Sequence, residues 1–306
     1  MCPGPCAMGC GLDALDRGSG MPCGHDGHAH DRATRHAGGA MSEGTDVVVQ
    51  YVETVLAEQD AYRAAPPSSL PRAVRAVAAP LGAVTRRFMP PEVIEAAIRG
   101  AEWAASSSIR KAAIQHDFSD LAACDEAAAE VRRWALGYAV TGGGAAGALG
   151  ALGLAIDIPT TITLALRTVR LTGLCYGFGA ATEAERLYIL DVLQLAGANG
   201  RDERLAAIER LARERSEMSP EEWGKIVNLT GQSAGTVAAT RRVAQTLGVN
   251  LATRKMAQAV PFVGAAIGAG VNAAFQNDVA AAARFAYRAR WLEVNEHIIE
   301  GRLTQD

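Results

Sequence analysis

The stretches GYAVTGGGAAGALGALGLAI (residues 137–156) and QAVPFVGAAIGAGVNAAFQN (residues 258–277) decide how this chain folds. They lie within two runs that carry no charge, Trp134 to Ile156 and Met256 to Asn277. About 20 apolar residues suffice for a helix to cross a bilayer, and both runs reach that length. Both are also rich in the small residues that let helix backbones approach closely. Within the first, Gly142, Gly144 and Gly147 spell a literal GxGxxG. In a dinucleotide site such glycines follow a strand, open a helix, and precede an acidic ribose ligand by about 20 residues. Here Glu130 to Trp134 continue a helical pattern, Arg167 stands where the acid would, and no Gly-Lys-Ser/Thr occurs. The glycines therefore read as helix-packing positions, Gly143 and Gly147 in the first run and Gly264 and Gly268 in the second, the latter pair set in a motif with Pro261 and Asn272. An interior glycine costs roughly 0.5–1 kcal/mol relative to alanine, which tight packing must offset.

Composition agrees with helices. Of 306 residues, 49% are hydrophobic but only 5% aromatic, so the apolar mass is largely Ala, Leu and Val. Ala and Leu are strong helix formers, and no segment alternates apolar and polar residues with the period of two that a half-buried strand shows. The expectation is an all-α, compact multi-helix domain over residues 46–306, with Gly/Ala-rich central helices packed closely. A net charge of -3 argues against nucleic-acid binding, which needs a basic surplus. A mean hydropathy of +0.05 is high for a soluble enzyme and low for a polytopic membrane protein. If the first run spans a membrane it must end near Ile156, because a mid-membrane Asp157 would cost about 2.5–3.5 kcal/mol.

Along the body, Val48, Tyr51, Val52, Val55 and Leu56 share a helical face, and Glu92 to Ile114 forms a long amphipathic helix. Another begins near Ser119 and runs to about Tyr138. Asp157 can cap a new helix from Thr160 to Tyr176 with Pro159 at its entry, or can be the buried partner of an arginine. Thr182 with Glu185, and Ser219 with Glu222, have capping-box spacing. Arg201 to Glu217 is a charge-laced helix expected to be solvated, and Cys124 and Cys175 read as buried free thiols.

Residues 1–45 form a Cys/His-rich head expected to be disordered. Cys2, Cys6, Cys10 and Cys23 precede His25, His28, His30 and His36. Thiolates and imidazoles are ligands for zinc and similar divalent metals, but three residues between successive cysteines match no paired-knuckle site. Two readings stand: a loose metal-chelating tail, or a tail with no site, including a true start at Met21 or Met41. No basic start with an apolar run marks a secretory signal, so a cytoplasmic location is expected, including the inner face of the cytoplasmic membrane.

Val279 to Glu300, projected as a helix, places Arg290, Glu293, His297 and Glu300 on a polar side and Phe285, Trp291, Leu292, Ile298 and Ile299 opposite. Arg284, Arg288 and Asn295 fall on the apolar side. Their heads either reach water or carboxylates along the core edge, or Arg284 and Arg288 converge with Arg167 and Arg170 on a phosphate or lipid headgroup. Catalytic patterns are poor: outside the head only His116 and His297 occur, with neither HExxH nor GxSxG.

The segment AIDIPTT…CYGF (155–178), the helix LYILDVL and above all KMAQAVPFVGAAIGAGVNA (255–273) resemble the EcsC family, and VAAAARFAYRARWL (279–292) fits its ending. The resemblance spans roughly residues 45–300 and leaves the head outside. It implies a bacterial helical protein named for a gene beside a transporter implicated in secretion, with no established catalytic residue to carry across. The expectation is a membrane-associated accessory or lipid-contacting protein whose partners are membrane lipid or a membrane protein. A soluble helical enzyme of unrecognised class and a self-associating scaffold are the alternatives.

Overall fold

The computed structural model describes residues 50–66, 94–100, 115–148, 151–179, 182–198, 200–217, 237–245, 247 and 264–296. Among them every regular element is a helix and none is a strand. In chain order these are α1 (50–64), α2 (94–100), α3 (Leu121–Ala148), α4 (Ala151–Cys175), α5 (Glu183–Gly197), α6 (Arg201–Glu217), α7 (237–245) and α8 (Gly264–Val294). The head, Pro261, Ser219, Glu222 and His297 lie outside the described residues.

Local chemistry sets the helix ends. The Asp120 carboxylate accepts the amides of Ala122 and Ala123 at 2.9 and 3.2 Å and starts α3. At the end of α4 the amides of Phe178 and Gly177 reach back to the carbonyls of Gly173 and Leu174, with Gly177 at φ 83°. That pair of bonds is a Schellman stop, and its left-handed residue is one only glycine takes without strain. Thr182 then caps α5, its hydroxyl accepting the Glu185 amide at 3.1 Å.

The first charge-free run does not form one helix. It is divided between the end of α3 at Ala148 and the start of α4 at Ala151. Among the described residues no helix is long and apolar enough to cross a membrane. Nor does Asp157 cap anything: α4 runs unbroken from Ala151 through Asp157 and Pro159 to Cys175. The cost of an interior proline is offset by packing against α8, where Asn272 donates to Asp157 at 2.9 Å and Gln276 to the Thr161 carbonyl at 3.2 Å.

The core gathers around α8, whose residues from Phe285 to Trp291 are buried on every side. Helices α3, α4 and α5 pack against it directly, and α6 packs on α5. Helix α1 joins through Gln59, which donates to the Phe285 carbonyl at 2.9 Å, and Tyr62, which stacks on the Phe285 ring at 4.5 Å. On α1 the buried positions are Val52, Val55 and Gln59, while Leu56, expected inside, is exposed. On α6 the expected solvation holds for one face only, since Arg204, Ala207 and Leu211 are buried.

Pairings along α8 fix helix directions. On α3, Asp125 meets Arg288 and Arg132 meets Asn277, so these two helices run antiparallel. On α4, Asp157 meets Asn272 while Gly173 lies against Tyr287, so α4 runs parallel to α8. The end of α3 and the starts of α4 and α8 therefore share one end of the bundle. These are the charge-free runs.

Candidate functional site

Two features stand out: a set of buried ionic centres along α8, and the charge-free bundle end beyond them.

The first centre is Asp125 on α3. Arg288 grips it bidentately, Nε to Oδ1 and Nη2 to Oδ2, both at 2.5 Å. The Tyr51 hydroxyl donates to Oδ2 at 2.5 Å, the Tyr176 hydroxyl donates to Oδ1, and Arg284 Nε lies 3.4 Å from Oδ1. Arg288 also holds Glu58 of α1 at 2.5 Å, and Arg284 reaches the same carboxylate at 3.3 Å. Burial alone would raise the Asp125 carboxyl, but the bonds and charge of Arg288, helped by the two tyrosines, hold it below the usual carboxylate range. Burial and then the bond to Asp125 push the Tyr51 hydroxyl up to about 12. A carboxylate offers about four lone-pair sites, and these donors take them. Asp125 is thus a keystone joining α1, α3, α4 and α8, with no acceptor site left for a substrate.

The second centre is Glu185 on α5. Tyr287 donates to one oxygen at 2.8 Å and Arg290 to the other at 2.6 Å. In a complete capping box this side chain would turn back to the Thr182 amide; here it points into the core instead. Burial drives the Glu185 carboxyl up and the Arg290 guanidinium down, against the opposing attraction and bond between the two. Arg290 also lies over the Phe178 ring at 4.0 Å. Its expected place on a polar face is therefore corrected: it is 2% exposed, because α8 is enclosed by helices rather than lying on a surface.

The third centre pairs Asp191 of α5 with Glu214 of α6. Burial first, and then the bond and charge of Asp191, push the Glu214 carboxyl up to about 9, against the opposing pull of Arg242 and Arg210. The Arg210 Nε lies 3.6 Å from Asp191. A carboxyl raised in the folded state binds its proton more tightly there than when unfolded. Its contribution to stability is complete below the ordinary glutamate range and is lost as pH rises toward about 9. Glu214→Gln is expected to flatten the fall of melting temperature between about pH 5 and pH 9. An unchanged profile would show that the proton is not shared.

Of the two readings of the apolar-side arginines, pairing with carboxylates is the one that Arg284 and Arg288 follow, and the four arginines do not converge on one point. Arg284 and Arg288 meet at Asp125 and Glu58, whereas Arg167 lies over the Trp134 ring at 4.7 Å. Trp134 is nine residues beyond Asp125, about 13 Å along α3. Arg170 contributes its charge to the Glu185 centre instead. Asp157, a candidate partner for an arginine, is bonded to Asn272 and to Thr161. Cys124 and Cys175 are buried free thiols, as expected, and burial pushes both up to about 12, far from a reactive thiolate. His116 meets the Cys175 carbonyl at 2.7 Å and packs edge-on to Phe118, a structural placement. Among the described residues no cluster of three His, Cys, Asp or Glu could hold a metal, and the head lies outside them.

The second feature lies beyond these centres. At the end of α3, Gly137, Tyr138, Val140, Thr141 and Gly142 are all exposed, Tyr138 by 60% and Val140 by 48%. A Cβ added at Gly137, Gly142 or Gly270 would meet nothing within 4 Å, so these glycines are not packing positions. Gly143 and Gly147 fall inside α3 and Gly264 and Gly268 inside α8, with their packing outside what is described. Sequence reasoning weighed the glycines as contacts; the accessible signal was the absence of charge on three helix segments that share one end of the bundle.

A family model for the EcsC protein family matches residues 83–292, more than half of the chain. The chain belongs to the EcsC family. No curated protein and no solved structure matches it. The match takes in both charge-free runs and Asp125, Glu185, Arg288 and Arg290, while α1, which supplies Tyr51 and Glu58, precedes it. In this EcsC-family chain the bundle end and the Glu185 and Asp191 centres therefore lie within the matched segment, and the Asp125 centre does so apart from Tyr51 and Glu58.

Proposed function

We propose that the protein is a peripheral membrane protein of the cytoplasmic face. It sets the charge-free end of its bundle into one leaflet and serves as an accessory, lipid-contacting protein rather than a catalyst. One observation carries the reading: the end of α3 and the starts of α4 and α8 lie at one end of the bundle, and residues 134–156 and 256–277 include no charge in the sequence. From Arg132 to Ala148, α3 extends about 24 Å, ample for the roughly 5–10 Å to which interfacial helices bury. Trp134 and Tyr138 stand near the base of this end, where aromatic rings favour the headgroup level.

Vesicle flotation of the full chain tests the reading, with Tyr138→Asp/Val140→Asp as the variant. Both side chains are exposed, so the variant is expected to keep the helical content and melting temperature of the parent. The parent is expected to float with vesicles and the variant to lose at least about tenfold in partitioning. A parent that stays with the aqueous fraction at every lipid composition, or a variant that floats as well as the parent, rules the reading out. Association between copies through the same end would appear instead as concentration-dependent mass in light scattering without vesicles.

A further inference from the structure

We infer that the leaflet taken up by this end is an anionic one, held by an arginine girdle of Arg132, Arg133 and Arg167. The inference rests on the membrane reading above and deepens it. Arg132 and Arg133 are exposed and are the last charges of α3 before the uncharged run begins at Trp134. Arg167 belongs to α4, but its guanidinium lies 4.7 Å above the Trp134 ring, which sets it at the same height on the bundle. Three cations from two helices thus stand at the base of the charge-free end.

The neighbours of these cations leave their charge in place. Arg132 is oriented by Asn277, whose amide oxygen accepts both Nε and Nη2 at 2.9 and 2.7 Å. A neutral acceptor fixes a guanidinium without cancelling it. Arg133 faces Glu130 at 3.4 Å, with both side chains mostly exposed, and such surface pairs exchange readily. Asp278 on α8 is the acid nearest in sequence to Asn277, and its charge bears on Tyr62 of α1. Arg167 rests on an aromatic face, which suits a cation at the headgroup level.

The chemistry that fits is a phosphate diester on a surface. Guanidinium forks match phosphate oxygens, and an arginine near an anionic leaflet gains about fivefold in partitioning, so three give on the order of a hundredfold. The whole chain carries -3, so long-range attraction does not supply this preference. It must come from the girdle acting within a Debye length of about 8–10 Å.

The experiment compares flotation of the full chain on phosphatidylcholine vesicles with flotation on vesicles enriched in phosphatidylglycerol. Arg132→Gln/Arg133→Gln is run alongside. The parent is expected to partition at least about tenfold better onto the anionic vesicles and to lose that advantage in about 0.5 M salt. The variant, which keeps Arg167 alone, is expected to fall to a preference of no more than about fivefold. Equal binding of the parent to both compositions, or a variant that keeps the preference, overturns the girdle while leaving the membrane reading intact. Binding to neither composition overturns both.

Discussion

Asp125→Asn is expected to destabilise the protein by about 3–5 kcal/mol, because it leaves Arg288 buried with half of its compensation gone. The two side chains are 5% and 4% exposed, so water cannot replace the lost charge. Tyr51 and Tyr176 lose their anionic acceptor as well, and the anchors of α1 and α4 weaken together. For a domain of this size the drop corresponds to roughly 6–20 °C in melting temperature. A double substitution sharpens the test. Arg288→Met alone is expected to cost a similar amount, whereas Asp125→Leu with Arg288→Met recovers much of it by removing both buried charges. A loss under about 1 kcal/mol for Asp125→Asn would mean that the pair is solvated and that the keystone assignment is wrong.

Gly173→Ala is expected to cost about 3 kcal/mol or more, although it adds one methyl group. A Cβ at this position would lie 2.6 Å from Tyr287 Cζ, 2.8 Å from its hydroxyl and 2.9 Å from the Phe178 carbonyl. Tyr287 has little room to yield. It is fully buried, bonded to Glu185 at 2.8 Å, and packed against Tyr188 and Phe178 at ring separations of 5.4 and 6.0 Å. Moving the ring would unseat the Glu185 centre. The same substitution at Gly142, which faces open space, is expected to raise stability by about 0.5–1 kcal/mol through helix propensity alone. Thermal melts of the two variants side by side check the contrast. Similar shifts in the two would remove the claimed close approach at Gly173.

The helical class was legible in the sequence, because alanine-rich periodicity and capping residues act locally. Arg201 and Glu217 were correct as the bounds of α6, and Thr182 marked the start of α5. What misled was any inference that took a helix as having one wet face. Arg290 was assigned to solvent by projection, and it is buried because α8 has neighbours on all sides. Glu185 was read as half of a cap, and its carboxylate serves a partner more than one hundred residues away in sequence. Asp157 looked like a helix start, since proline two residues later breaks helices when nothing else holds them; packing against Asn272 and Gln276 holds this one. Asp125, the centre of the first cluster, had no local mark at all. Its role arises from Tyr51, Tyr176 and Arg288, which only the fold brings together.

The enclosed position of α8 also bears on how the chain folds during synthesis. Glu58 and Gln59 find their partners on this helix 230 and 226 residues later, and Asp125 finds Arg288 after 163. Every other described helix is made before α8, so α1, α3, α4 and α5 leave the ribosome without the surface that closes their core. Contacts of such separation slow folding and prolong the exposure of apolar faces. Until residue 294 emerges, the described helices that precede α8 lack their common axis.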